Sequence, residues 1–396
     1  MRLSESSIKA AILHREEEVR LTAVSFFSGS FSQDEAVMPL VIQAVERHGR
    51  DKAFRILRSA ECLSQTRASV GWLIDELRRD YALEDLVDDN HRFAVALVLY
   101  RAKPELLLER QGEMATLSMF PDQLRAPLAE RFDMLSWDWG RGWMALEALG
   151  QATMRKGGFT WNDVRYAHRI IESLARHRAT RAAAVLDSLE QRHEGRRESL
   201  IEWLKPLVVN LAGAMRLESA VPLFVQYLPH DSVSLVDESI TALIKIDTDA
   251  VVRAIADQWW GADADFRAAA SNVLEHIHTD LCAEQSLTFF KAEEAPETKL
   301  SLAYAVLSQF LEEAVEPVRQ LVLGDNKGLP PNRCDIRYRL VAACAVMDVT
   351  FPEFEKWHQD AVANHWGLGD YTPPRLADSF RPEQPGPKRS GNGRRH

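Results

Sequence analysis

Cysteine is scarce in this 396-residue chain: four residues, Cys62, Cys282, Cys334 and Cys344, with no CxxC pair and no close spacing. Neither a disulfide framework nor a thiolate zinc site has the ligands it needs, and reduced thiols in a cytoplasmic setting are expected. Long apolar runs are missing too. The best stretches, Leu207 to Met215 and Leu340 to Val349, suffice for a buried helix and are too short for a bilayer, so no membrane contact is expected. The first twenty residues carry charge through their apolar positions and lack the uninterrupted core of a secretory signal. Excess positive charge is also absent. With 58 acidic and 48 basic residues the net charge is −10, a sign that repels a phosphate backbone and speaks against a wholly basic groove. No HExxH, GxSxG elbow, GxxxxGKS/T phosphate loop or GxGxxG turn occurs, so no catalytic residue, metal ligand or cofactor is assigned.

What the chain has in quantity is apolar side chains at three- and four-residue spacing, while alternating strand-like runs are rare; the expected class is all-α. Ile8, Ala11 and Ile12 form one stripe and Val19, Ala23, Phe26 and Phe27 the next, separated by the charged bend HREEE. Val37, Leu40, Val41, Ala44 and Val45 follow before Gly49. Short helices with short connections pack as antiparallel neighbours.

Self-similarity sharpens this expectation. Three stretches, DSVSLVDESITALIKI from Asp231, DADFRAAASNVLEHI from Asp263 and PETKLSLAYAVLSQF from Pro296, align when Leu235, Phe266 and Lys299 are superposed. Small residues then coincide at Ser239, Ala270 and Ala303, followed by Leu243, Leu274 and Leu307, and by Ile246, Ile277 and Phe310. The period of 31 to 33 residues is the length of one helical hairpin, and a small residue in mid-helix is required where neighbouring hairpins approach closely. Partner helices such as AVPLFVQYL and AVVRAIADQWW lie between.

An acidic turn, then Val-Arg or its equivalent, then a small residue, recurs in REEEVRLTAVSFF, DADFRAAASNVL and DIRYRLVAACAVM. In this the chain resembles HEAT repeats, over roughly residues 4–60 and 200–350. The resemblance implies a right-handed α-solenoid of stacked antiparallel hairpins, presenting a concave surface to a protein or, less often, to nucleic acid. It also implies that Arg20 and Arg267, just inside their helices, bridge to an acidic residue of a neighbouring turn. The organisation expected is HEAT-like hairpins over 1–110, an irregular helical section over 111–199, further hairpins over 200–325, capping helices over 326–367, and an extended basic tail over 368–396. In the middle section Gly140, Gly142 and Gly150 suggest a kink or insertion.

Candidate contact residues follow from this frame. Glu238, Thr241, Lys245, Ser271 and Glu275 are expected to project from second helices toward the concave side. Ten tryptophans are present, and Trp137, Trp139 and Trp143 either fill gaps between hairpins or line an aromatic groove; packing has precedence because large aromatics supply core area first. Arg155 to Arg197 holds ten basic and five acidic residues, making Arg165, Arg169 and Arg176 candidates for an anion, although they also fall opposite the Val164, Ala167, Ile171, Leu174 stripe as a solvated face would. From Arg375 onward six basic residues face two acidic ones. His276, His278 and Asp280 spell HxHxD, but residues two apart on a helix diverge and cannot share one ion. The leading expectation is a non-enzymatic scaffold that binds a protein partner. The alternative is a nucleic-acid binder, because one class of DNA glycosylases is built from HEAT-like repeats.

Overall fold

The computed structural model describes residues 2–158, 160–190, 196–324 and 333–364, apart from the side chains at 54, 196–199, 201, 202 and 333–335. The chain is all-helical: the described residues form no strand beyond one isolated antiparallel bridge between Arg2 and Leu311. The first part runs α1 (Glu5–Ala11), α2 (Glu17–Gly29), α3 (Val37–His48), α4 (Phe54–Ser59), α5 (Arg67–Glu76), α6 (Leu86–Arg101), α7 (Pro104–Glu109) and α8 (Gln111–Ala115). The middle contains α9 (Asp122–Leu135), α10 (Trp139–Lys156), α11 (Trp161–Ala175) and α12 (Arg178–Glu190). The last part comprises α13 (Arg196–Ala214), α14 (Val221–Gln226), α15 (Val233–Ile246), α16 (Asp249–Trp259), α17 (Ala264–His276), α18 (Asp280–Ala292), α19 (Pro296–Ser308), α20 (Glu312–Leu323), α21 (Arg333–Met347) and α22 (Phe354–Ala363). None of these is long and apolar enough to cross a membrane. The expected Pro/Gly interruption between Gly324 and Arg333 falls largely, and the tail over 368–396 wholly, outside the described residues.

Local chemistry accounts for where the helices begin. Ser4, Asp85, Asp138, Asp263 and Thr279 each accept a backbone N–H of the first turn, and Thr66 and Thr160 form reciprocal capping boxes with Ser69 and Asp163. Helix ends are less ordinary. Phe31, Arg216, Asp247, Phe310 and Asp348 take positive φ directly after α2, α13, α15, α19 and α21, where glycine is the usual occupant. Three of these turns close with a six-to-one bond, Ser32 N–H to Phe27 C=O, Leu217 N–H to Ala212 C=O and Val349 N–H to Cys344 C=O. Each left-handed side chain costs roughly 1 kcal/mol, so surrounding packing holds these turns. α17 has no such turn. Its final carbonyls, of Leu274 and Ile277, accept instead from the fully buried Gln309 carboxamide at 3.0 and 2.9 Å.

Packing follows the aligned positions. Ser239, Ala270, Ala303, Leu243, Leu274, Leu307, Ile246, Ile277 and Phe310 are all buried, as are Leu235 and Phe266, whereas Lys299 is half-buried. α13 packs on α15, α15 on α17, α17 on α19 and α19 on α21, while α14, α16 and α18 lie against one another in a second layer. The glycines of the middle section do not break it. All three lie inside the 18-residue α10, where a Cβ on Gly142 would sit 2.8 Å from Leu174 Cδ2 and one on Gly150 2.7 Å from Leu204 Cδ2, so close approach to α11 and α13 is the requirement they meet.

The first helices meet the last described ones. α2 packs on α21 as well as on α4, and α4, α6, α9, α11 and α13 continue from there, so the helix contacts run in a closed circuit. An open stack would leave a greasy terminal face needing a polar cap; here the first helices cover the last. Leu3 N–H donates to Phe310 C=O at 3.1 Å, Arg2 pairs with Asp280 at 2.8 Å, and Arg216 donates to Phe31 C=O at 2.9 Å. The Phe26 ring stacks on His278 with centroids 3.7 Å apart, and His358 meets Glu16 at 2.7 Å.

Arg20 departs from the role its position implied. Its guanidinium, 1% exposed, donates to the carbonyls of His14, Arg15 and Lys52, the last at 2.6 Å, and forms no carboxylate bridge. Arg267 behaves as expected, pairing with Glu293 at 3.2 Å. Arg20→Met should therefore cost about 2–4 kcal/mol by stranding three carbonyls between α1, α2 and the turn before α4. The urea midpoint measures it; a midpoint unmoved within error would show those carbonyls hydrated rather than held by Arg20.

Candidate functional site

The second-helix residues singled out from the sequence lie on α15 and α17. Glu238 accepts from Asn210 of α13 and lies 3.7 Å from His168 of α11. Thr241 is half-buried. The Lys245 ammonium sits over the Phe31 ring, 5.2 Å from its centroid, and burial lowers its pKa against the opposing pull of Glu238. Ser271 is fully buried, with its hydroxyl donating to the Arg267 carbonyl one turn back. Glu275 pairs with Arg339 of α21 at 3.3 Å.

Glu275 also borders a cleft where α2 meets α17, α19 and α21, together with Thr22, His276, Tyr304 and Arg339. Its volume is about 40 Å³, room for a water or two; sites for organic ligands measure several hundred. The three HxHxD side chains go separate ways. His276 contacts the Asn272 carbonyl, His278 Nε2 lies 3.0 Å from the Phe26 carbonyl, and Asp280 pairs with Arg2.

In the middle section Trp137, Trp139 and Trp143 pack against the core, and two of their indole N–H groups are already bonded, Trp137 to Asp133 at 2.9 Å and Trp143 to Glu147 at 3.0 Å. Trp139 stacks on Trp143, Arg181 lies over Trp139, and Arg141 lies over Trp137. Arg169 pairs with Glu130, and Arg176 donates to the Leu135 carbonyl and lies 3.4 Å from Glu105. Arg165 is half-buried on the same helix. The polar face of α11 is thus largely laid against α9 and its surroundings.

Two features could not be assembled from the sequence. One is a buried polar knot: Glu76, 2% exposed, lies 3.1 Å from Arg50, 2.9 Å from Arg79 and 3.4 Å from the buried His91, with the Tyr81 hydroxyl at 3.4 Å. Burial works against ionisation, yet His91, Arg79 and Arg50 hold the Glu76 carboxyl below its usual range. Burial also pushes the Tyr81 phenol upward. The buried thiols are inert by the same logic, Cys282 and Cys344 being pushed up to about 12.

The other is an edge. Because α15, α17 and α19 alternate with returning helices, their N-terminal ends lie side by side, at the turns after α14, α16 and α18. Val233 and Trp260 stand out there, 73% and 65% exposed. In and beside the same turns the exposed Asp231, Asp237, Asp257, Asp263, Asp265, Glu294 and Glu297 have no cation within ion-pair distance among the described residues. In the first half, by contrast, carboxylates are met by arginines of neighbouring elements, as in Arg67–Glu109, Arg78–Glu113 and Arg55–Glu18. Asp263, Asp265, Glu294 and Glu297 lie at or just before the starts of α17 and α19, where the dipole favours them, so local pattern accounts for these singly and says nothing of their sharing an edge with the others. The arrangement has no metal-like or nucleophile–base geometry; what it offers is exposed apolar area set in uncompensated negative charge. No protein-family model, curated protein or solved structure matches the chain.

Proposed function

We propose that this chain is a non-enzymatic, cytoplasmic scaffold of HEAT-like helical hairpins that binds another protein, and that the contact surface is the edge formed by the turns before α15, α17 and α19. The observation that carries this reading is that exposed Trp260 and Val233 share an edge with seven carboxylates that meet no cation among the described residues. A tryptophan exposed among residues that exclude competing contacts is the usual anchor of a protein interface, and like charges around it select a partner of opposite sign. The matching partner is a basic segment carrying an apolar or guanidinium group that lies flat on an indole. The reading gives the nucleic-acid alternative less support, since Arg169 and Arg176 are engaged by protein acceptors and the exposed edge is acidic.

The test compares the chain with its Trp260→Ala/Asp265→Lys variant in capture from native cytosol at several salt concentrations. A stoichiometric protein held by the wild type should be lost from the edge variant and kept by a control altered on the far side, such as Glu35→Lys. Equal capture by all three would discard the edge as the contact surface. A shift of labelled duplex DNA at low salt would restore the alternative.

A further inference from the structure

We propose that the basic segment Arg375–His396 of this same chain docks on the acidic edge. This rests on the reading of that edge as a contact surface and adds its resident occupant. Three observations lead to it.

The first is where the described chain ends. α22 returns along α21, and Arg337 near the start of α21 lies 3.8 Å from Asp360 near the end of α22. The chain therefore leaves Asn364 beside the N-terminal end of α21. α21 packs on α19 and α19 on α17, all running the same way, so this exit point belongs to the same edge as Trp260, Asp263, Asp265, Glu294 and Glu297.

The second is charge. Arg375, Arg381, Lys388, Arg389, Arg394 and Arg395 face only Asp378 and Glu383 within the segment, whereas the edge carries seven acids and no described cation paired to them. Exposed opposite charges separated by less than a Debye length attract, and a tethered partner meets the edge at a high effective concentration. Trp260, with its ring open, is a surface on which an arginine stacks.

The third is reach. The N-terminal ends of α21 and α17 are two helix spacings apart, about 20 Å. Arg381 follows Asn364 by 17 residues, and a coil of that length spans about 23 Å on average. Lys388, seven residues on, reaches as far as α15. The spacing thus delivers the charges onto the acids without stretching the chain.

Lys388 is the only lysine of the segment, which makes a zero-length carbodiimide coupling of its amine to carboxylates the direct test on the purified full chain. The expected products join Lys388 to Asp237, Asp257, Asp265, Glu294 or Glu297, and their yield should fall about tenfold in 0.5 M salt or in the full-length Arg389→Glu/Arg394→Glu/Arg395→Glu variant. Coupling spread over carboxylates elsewhere, no coupling, or yields indifferent to the charge reversal would each overturn the proposal. Mixed light and heavy isotope copies separate docking within a chain from docking between chains; links only between copies would also overturn it. The readout needs no partner, so it is distinct from the capture experiment. Edge links together with capture that ignores the edge variant would sink the contact-surface reading and leave the docked segment standing. Capture that needs the edge while Lys388 links elsewhere would do the reverse.

Discussion

Gly213→Val is expected to lower stability by about 3 kcal/mol or more. Gly213 lies in the last turn of α13, and a Cβ placed there would sit 2.5 Å from Ala242 Cα and 2.6 Å from Ala242 Cβ on α15. The obstacle is backbone, which cannot swing aside as a side-chain tip can, so the two helices must separate along their contact. Any gain in helix propensity over glycine is about 0.5 kcal/mol for a β-branched residue and does not offset that. Gly213→Ala should fall between, since alanine recovers about 1 kcal/mol of propensity while meeting the same clash. The urea midpoint and its slope report the effect. Adding Ala242→Gly to Gly213→Ala should restore part of the loss, and a strictly additive double variant would mean that the two helices do not meet at these residues.

Acid should loosen the junction of the first helices with the last described ones, and His278 should set the pH at which it does. The imidazole stacks on Phe26, donates from Nε2 to the Phe26 carbonyl at 3.0 Å, and keeps Nδ1 buried. Burial first, then the charges of Arg2 and His276, push its pKa down to about 3, with the Phe26 carbonyl and the Gln309 side chain acting in the other direction. Asp247, whose carboxyl accepts the His278 backbone N–H, has its own pKa raised by burial and so supplies little compensating charge as the pH falls. A folded pKa below the unfolded value of 6.5 means that the unfolded chain binds the extra proton. The contribution is therefore complete above pH 6.5 and is lost as pH falls from there toward 3, to a limit of roughly 4–5 kcal/mol. His14 and His48 are also lowered by burial and add smaller slopes of the same sign. Urea midpoints measured from pH 7 to pH 4 should fall steeply in the wild type and clearly less in His278→Phe, which keeps the stack and removes the proton site. Parallel slopes in the two proteins would locate the acid sensitivity elsewhere.

Both experiments probe features that the sequence presents unequally. The small residues Ser239, Ala270 and Ala303, and the Leu and Ile positions that follow them, are legible because helical periodicity repeats within a short window and marks the face each helix buries. The capping residues Thr66, Asp85, Thr160, Asp263 and Thr279 are legible for the same local reason. The five turns at positive φ were not, because bulky or charged residues occupy sites at which glycine is the only strong signal. Glycines misled in the opposite sense: Gly142 and Gly150 resemble helix breakers in a string of letters and are contact points inside one long helix.

The candidate contact residues divide in the same way. Their placement on second helices could be read from spacing, but whether a polar side chain faces solvent depends on what is packed against it. Ser271 is closed off by its own helix and its neighbours, Lys245 lies against a phenylalanine more than two hundred residues earlier, and the arginines of α11 meet α9. Trp260 appeared only as one of a pair of tryptophans, whereas its partner Trp259 is buried against Phe289 and Trp260 stays outside.

The sequence by itself determined that this chain is helical, where some of its helices begin, and which stripe of each turns inward, since all of these follow from contacts between residues a few positions apart. Only the tertiary structure decided that α2 covers α21, that Arg20 holds three carbonyls, that Gln309 finishes α17, and that the acids of three successive hairpins share an edge with one exposed indole. Those outcomes join segments up to 342 residues apart, as Glu16 and His358 show. An amphipathic stripe records that a face must be covered; what covers it is chosen by shape and charge after the chain has folded back on itself.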